Sequence, residues 1–429
     1  MDPPAGHRRA CDGGEGKGKR LRMSKAKSLG FAPDRLARID RFLQEKYVGP
    51  GRIPCAQFLL ARRGETVHQS VLGRQDPERG VALAEDTVFR IYSMTKPVTS
   101  VALMTLVEEG AVALDDPVAR HIPEWADLGV FSAGAGPYLT TPPARPMQVV
   151  DLLRHTSGLT YGFQNRTNVD AAYRKQNLDQ IFDGYDLDGM IQALARLPLE
   201  FSPGEAWNYS VSTDVVGYLV QKLSGRPLAQ ALQERIFDPL KMADTGFSVR
   251  EDQRGRFAAC YEAVPGGGMK LQDDPAASPF LGAPKLYSGG GGLVSTAADY
   301  MRFSRMLLNG GELDGARILA PKTIRLMASN HLPGGADLTQ MSRSLFSEST
   351  NAGVGFGLGF AVVFDPPRTL IPCSAGEFYW GGMASTAFWV DPVEEVTAVF
   401  MTQLVPSSTY PIRRELRTLV YSALMDSNA

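Results

Sequence analysis

The chain has 429 residues, 44% of them hydrophobic and 21% charged, with a formal net charge of −1. That is the composition of a globular protein with roughly two to three domains' worth of core. The longest apolar run, 98–107, is too short to cross a bilayer. The charge is uneven. Residues 1–27 hold eight of the 45 basic residues against three of the 46 acidic ones, which leaves 37 basic and 43 acidic residues, net −6, for the body. Such a body argues against nucleic acid and against a membrane surface as partners.

In chain order, residues 1–28 form a basic tail rich in Gly. It reads as a disordered extension and carries no apolar core of a signal peptide. Leu36, Ile39, Phe42 and Leu43 fall at helical spacing within 33–47. Residues 55–61 and 66–72, around Arg63-Gly64-Glu65, read as a β-hairpin. A strand-like run, 87–92, leads into the segment 94–107, apolar nearly all round, which predicts a helix buried on every side. Gly110 stops it. Helical pieces follow at 149–153, 187–197, 211–223 and 228–236, with Pro/Gly loops at 140–146 and 265–284. Residues 353–364, 384–390 and 396–402 read as strands, and 413–425 as a closing amphipathic helix. The four cysteines, Cys11, Cys55, Cys260 and Cys373, lack C-x-x-C spacing. They read as free thiols in a reducing cytoplasm.

This order predicts an α+β fold. Residues 29–92 and 286–429 build one antiparallel sheet flanked by helices, residues 93–285 form a second, mostly helical lobe, and the cleft between them is the expected site.

Ser93-Met94-Thr95-Lys96 places a hydroxyl and an amine three residues apart at the head of the buried helix, hence on one helix face. A serine hydroxyl needs a base to become a nucleophile, and a lysine with its charge suppressed serves. Backbone N–H groups at a helix start favour developing negative charge. The competing reading of Ser93 is a plain N-cap. A second S-x-x-K, Ser24 to Lys27, lies in the basic tail.

Tyr209 precedes the helix 211–223 on the loop Trp207-Asn208-Tyr209-Ser210. It reads either as a hydroxyl projecting into the cleft, its phenolate favoured beside an ammonium, or as a packed aromatic. Trp380-Gly381-Gly382 runs toward the strand 383–390. Its glycines let backbone pass close to a ligand, which makes the three a candidate substrate-binding edge; the alternative is a strand-edge bulge. The backbone N–H of Met383 can join that of Ser93 as an oxyanion hole. His155, next to Thr156-Ser157-Gly158, reads as a structural helix end. No serine sits in G-x-S-x-G. Gly289 to Gly292 lacks the G-K-[ST] of a phosphate loop, and Thr296 caps the helix that follows, with Asp299 at its third position. The five histidines show no metal spacing, so neither metal nor other cofactor is expected.

Taken together, Ser93-x-x-Lys96, Tyr209 and Trp380-Gly381-Gly382 follow the order and spacing of a known set, and the flanking text 152–159, 289–293 and 357–360 is similar too. Over about residues 31–425 the chain resembles the family VIII carboxylesterases, relatives of class C β-lactamases and penicillin-binding proteins. The resemblance implies a β-lactamase/transpeptidase-like fold and a small-molecule ester as substrate. It makes Ser93 the nucleophile, Lys96 and Tyr209 the base system, and the N–H groups of Ser93 and Met383 the oxyanion hole. Two departures from the β-lactamase pattern favour neutral esters over anionic lactams. Val211 replaces the Asn of Tyr-x-Asn, and Trp380-Gly381-Gly382 replaces Lys-Thr-Gly. An indole cannot pair with a lactam carboxylate, and losing a charge-assisted contact costs roughly 1.5–3 kcal/mol. A short-acyl serine esterase with weak β-lactam hydrolysis is the leading expectation. An acyltransferase, a β-lactamase and a non-turnover penicillin-binding-like scaffold are the alternatives. Oligomeric state is not legible.

Overall fold

The computed structural model describes residues 24–343 and 351–428. Alternation of apolar side chains on extended backbone builds its centre. Strands β1 (Cys55–Arg62) and β2 (Glu65–Asp76) form the expected hairpin, with Arg63 and Gly64 both left-handed at φ 50° and 73°. β3 (Val81–Ala82) lies beside β2. From the far end of the chain come β4 (Val354–Phe356), β5 (Ala361–Val363), β6 (Phe378–Gly381), β7 (Ala387–Asp391) and β8 (Val396–Met401). They join one sheet in the order β4-β5-β6-β7-β8-β1-β2-β3, antiparallel at every pairing.

Both faces of the sheet are covered. Phe58, Leu60, Trp389, Ala398 and Phe400 pack under helices α1 (Pro33–Leu43) and α5 (Ile412–Ala423), which contribute Leu36, Ile39 and Leu43, and Ile412, Leu416 and Val420. On the other face Phe388, Val390, Val399 and Met401 meet α4 (Ala297–Leu308) through Tyr300 and Phe303. Each such side chain contributes up to about 1.5–3 kcal/mol. Thr296 caps α4 as expected, accepting the Asp299 N–H at 3.1 Å. Helix α2 (Thr95–Glu108) is buried on every side from Thr95 to Leu106 and packs along α3 (Ser212–Ser224).

Several boundaries differ from the sequence expectation. Residues 24–28 coil into a helical turn with Ala26 buried, so this part of the basic tail is helical rather than irregular; residues 1–23, with Cys11, lie outside the described residues. The single strand expected over 353–364 is two, because Gly359 at φ 105° turns the chain between β4 and β5. The expected loop 265–284 contains the strand Met269–Asp273, paired with Cys260–Ala263. The run 87–92 keeps only Phe89–Arg90 as strand. The strand expected over 383–390 begins only at Ala387, after a tight turn over 382–386.

Candidate active site

Ser93 sits where Phe89–Arg90 turns into α2. Tyr92 before it takes φ 43°, an unusual backbone for an aromatic residue. The residues Tyr92–Met94 form one 3₁₀ turn, so Ser93 lies just ahead of α2 rather than at its cap. The sharp bend aims the half-buried Ser93 into a cavity of about 1190 Å³. Lys96, 1% exposed, stands behind it. Its ammonium donates to Ser93 Oγ at 3.3 Å, to Tyr161 OH at 3.0 Å and to the Gly290 carbonyl at 2.7 Å. It also lies 4.4 Å from the centroid of the Tyr209 ring, a cation–π distance.

The structure thus brings Tyr209 to Lys96, ring face first. The Tyr209 hydroxyl accepts the indole N–H of Trp380 at 3.4 Å, and the two rings are 5.5 Å apart. Ser93, Tyr209, Trp380, Gly381, Gly382 and Met383 all line the same cavity. Trp380 and Gly381 end β6, and Gly382 and Met383 open the turn into β7. A Cβ on Gly382 would overlap the carbonyl of Ile91, two residues before Ser93. Close approach of two backbones, rather than freedom of φ, is what demands glycine there. Among the described residues neither the Ser93 N–H nor the Met383 N–H has a protein acceptor.

Tyr161, Asp214 and Ser288, which the sequence does not single out, complete the cluster together with Gly290 of the glycine run. Asp214 is fully buried at the third position of α3. Its carboxylate accepts the Ser288 hydroxyl and the Gly290 N–H. Burial raises its pKa, and the Lys96 charge opposes that rise. Burial, and then the Asp214 charge, push the Tyr161 phenol well up, so it stays protonated and accepts from Lys96. The glycine run explains itself here. A Cβ on Gly290 would fall 2.7 Å from Asp214 Oδ2 and 2.8 Å from Tyr161 OH. Gly290 is therefore packing space beside the partners of Lys96, whereas a Cβ on Gly289 would meet the Thr213 carbonyl and one on Gly292 the Phe247 ring; the glycine run is the available signal.

His155 is buried as a neutral imidazole. Its Nδ1 is 3.2 Å from Ser210 Oγ, and its ring packs on Trp207, Tyr209 and Phe356. Burial drives its pKa well down. Ser157 bonds Ser212 at 2.7 Å, so both residues of that motif serve the structure beneath Tyr209. Among the described residues no group of three or more His, Cys, Asp or Glu is placed to hold a metal ion, and no helix is long and apolar enough to cross a membrane.

The eight-stranded antiparallel sheet with helices on both faces is the β-lactamase/transpeptidase-like fold. The chain belongs to the β-lactamase family, whose model matches residues 39–422. Protein Rv1367c of Mycobacterium tuberculosis is 38% identical over 360 residues, 83% of this chain and 87% of that protein. Esterase EstB of Burkholderia gladioli is 31% identical over 401 residues, 89% of this chain and 93% of its own. The solved structure of EstCE1, described as a hydrolase with promiscuous acyltransferase activity, superposes with a TM-score of 0.77 at 25% identity, covering 93% of this chain and all of that one. With these relatives the resemblance to family VIII esterases holds, and the chain falls among the hydrolases of the family.

Proposed function

We propose that the protein is a serine carboxylesterase acting on short-acyl esters of small molecules, with Ser93 as nucleophile and Lys96 with Tyr209 as its base. One observation carries the reading: the Lys96 ammonium lies 3.3 Å from Ser93 Oγ on the wall of a large cavity, beneath the Tyr209 ring. The reactive form is the Lys96–Tyr209 pair short of one proton. Ser93 Oγ adds to the ester carbonyl, the Oγ–C bond forms, and the Ser93 proton passes to the pair. The C=O π electrons move onto oxygen, held by the N–H groups of Ser93 and Met383. Collapse expels the alkoxide, which takes the proton. Water then adds to the acyl-enzyme by the same route, and Ser93 leaves with its proton restored. Tyr161 and the Gly290 carbonyl fix the Lys96 nitrogen for both halves.

Specificity for neutral esters is supported by Val211, fully buried where β-lactamases carry an amide, and by the Trp380 indole, which is engaged with Tyr209. The free Cys55, Cys260 and Cys373 support a reducing, cytoplasmic setting. A second reading, acyl transfer to an alcohol, is favoured by the cavity volume, which leaves room for an acceptor beside an acyl group. It matches the promiscuous acyltransferase activity described for EstCE1. Ser93→Ala tests the core of both: turnover of p-nitrophenyl butyrate should fall by at least about 10³-fold, and surviving hydrolysis would overturn the assignment. Product analysis with competing alcohols then separates esterase from transferase.

A further inference from the structure

The Met383 N–H belongs to the peptide unit that joins Gly382 to Met383. The other end of that unit, the Gly382 carbonyl, accepts Arg413 Nη2 at 2.7 Å, and the same nitrogen donates to the Thr386 carbonyl at 2.9 Å. Arg413 is the second residue of α5, 31 positions further along the chain. These two carbonyls stand at the root of the turn 382–386. The turn is closed from within by Gly382 N–H to Thr386 O at 2.9 Å and by Ser385 N–H to Gly382 O at 3.1 Å. One guanidinium nitrogen therefore ties both sides of the turn's base and anchors it to α5, which packs on the sheet.

Gly381 is shaped for this contact. A Cβ there would lie 2.5 Å from Arg413 Cζ and 2.7 Å from the Thr386 carbonyl. Glycine at 381 lets the guanidinium approach the end of β6 closely. The middle glycine of Trp380-Gly381-Gly382 is thus explained by the arginine rather than by a ligand.

A peptide unit is planar, so its C=O and N–H point in opposite, fixed directions. Holding the Gly382 carbonyl aims the Met383 N–H. A cation bound at the carbonyl also draws electron density through the amide and makes the N–H a stronger donor, since linked hydrogen bonds polarise one another and those to charged groups are the strong ones. We propose that Arg413 is a positioning residue for acyl transfer: it aims and polarises the Gly382–Met383 peptide toward the oxyanion that forms when Ser93 adds to the ester carbonyl. The inference rests on the function proposed above and assigns the oxyanion donor its support.

The test compares Arg413→Gln with wild type on p-nitrophenyl butyrate, and measures inhibition by an alkyl trifluoromethyl ketone, which Ser93 converts to a tetrahedral oxyanion adduct. Losing one oxyanion donor outright costs about 10²–10³-fold, so a donor left mis-aimed should cost about 10- to 100-fold in kcat. KM should stay within about twofold, and ketone affinity should fall by the same factor as kcat. Arg413→Lys, which returns the charge on a single ammonium, recovers part of both losses. Gly381→Ala displaces the guanidinium without removing it and gives the same parallel loss; it decides the matter should the Gln variant fail to fold. Wild-type kcat and ketone affinity in Arg413→Gln or in Gly381→Ala, or a loss confined to KM, would overturn the proposal. Ser93→Ala is assayed alongside. If it is inactive while Arg413→Gln is unimpaired, the clamp falls and the esterase reading stands; if it remains active, that reading itself falls.

Discussion

The chain carries two Ser-x-x-Lys segments, both helical in their surroundings, and only one sits in a cavity. Ser24 and Lys27 lie exposed on a surface turn, where the neighbouring Lys25 pairs with Glu65 across 3.0 Å. Ser93 and Lys96 stand at the head of a helix buried on every side, with Tyr161, Gly290, Tyr209 and Asp214 closing on the amine. The three-residue spacing is the same, and it places both pairs on one face. What differs is the number of groups that fix and desolvate the lysine. In water an ammonium is a solvated point charge; in the pocket it has fixed partners and a charged neighbour, the condition under which a hydroxyl beside it becomes useful.

The largest expected break in this contrast comes from the nucleophiles. Ser93→Ala should lose at least about 10³-fold in kcat/KM, whereas Ser24→Ala should leave esterase turnover unchanged; equal losses in the two would erase the distinction. Lys96→Met comes next. It removes the base and strands Tyr161 and Gly290 O as buried polar groups, so activity should vanish and stability should drop by about 1–3 kcal/mol. Lys27→Met should stay within about 0.5 kcal/mol, both read by chemical denaturation.

Tyr161→Phe takes one acceptor from Lys96 and nothing else. A drop of about 10-fold in kcat is expected, smaller than for Tyr209→Phe, and an unchanged kcat would show that the 3.0 Å contact is idle. The smallest effect concerns His155, which the fold keeps neutral. Below its ordinary value of 6.5 the unfolded chain binds a proton that the buried imidazole refuses. Stability should therefore decrease as pH is lowered, by up to about 1.4 kcal/mol per unit. His155→Asn should lack that slope between roughly pH 6.5 and pH 5. A variant with the wild-type slope would place the pH sensitivity elsewhere.

The sheet and the Ser93–Lys96 pair were legible because each is written locally. Short, nearly continuous apolar runs mark β7 and β8, which are buried on both faces, and a three-residue gap at the head of an apolar run marks the Ser93–Lys96 pair. Tyr161, 65 residues from Lys96, was not, since one tyrosine among fourteen carries no local pattern. Asp214 sits in an ordinary first-turn position of α3, and only its burial beside Gly290 makes it special. The hairpin of β4 and β5 reads as one strand in the sequence because Gly359 breaks it by a positive-φ backbone, which glycine adopts without any neighbouring signal. The sequence places Arg413 at the start of the closing amphipathic helix, where it lies, but its contact with the turn 382–386 depends on the register of a sheet edge that sequence periodicity does not fix.

Labelling with a fluorophosphonate, followed by mass spectrometry of the modified peptide, tests the central claim most directly. The account predicts a stoichiometric adduct on Ser93, none on Ser24, and loss of ester hydrolysis in step with labelling. An adduct on a different serine, or full hydrolysis by protein labelled at Ser93, would contradict it.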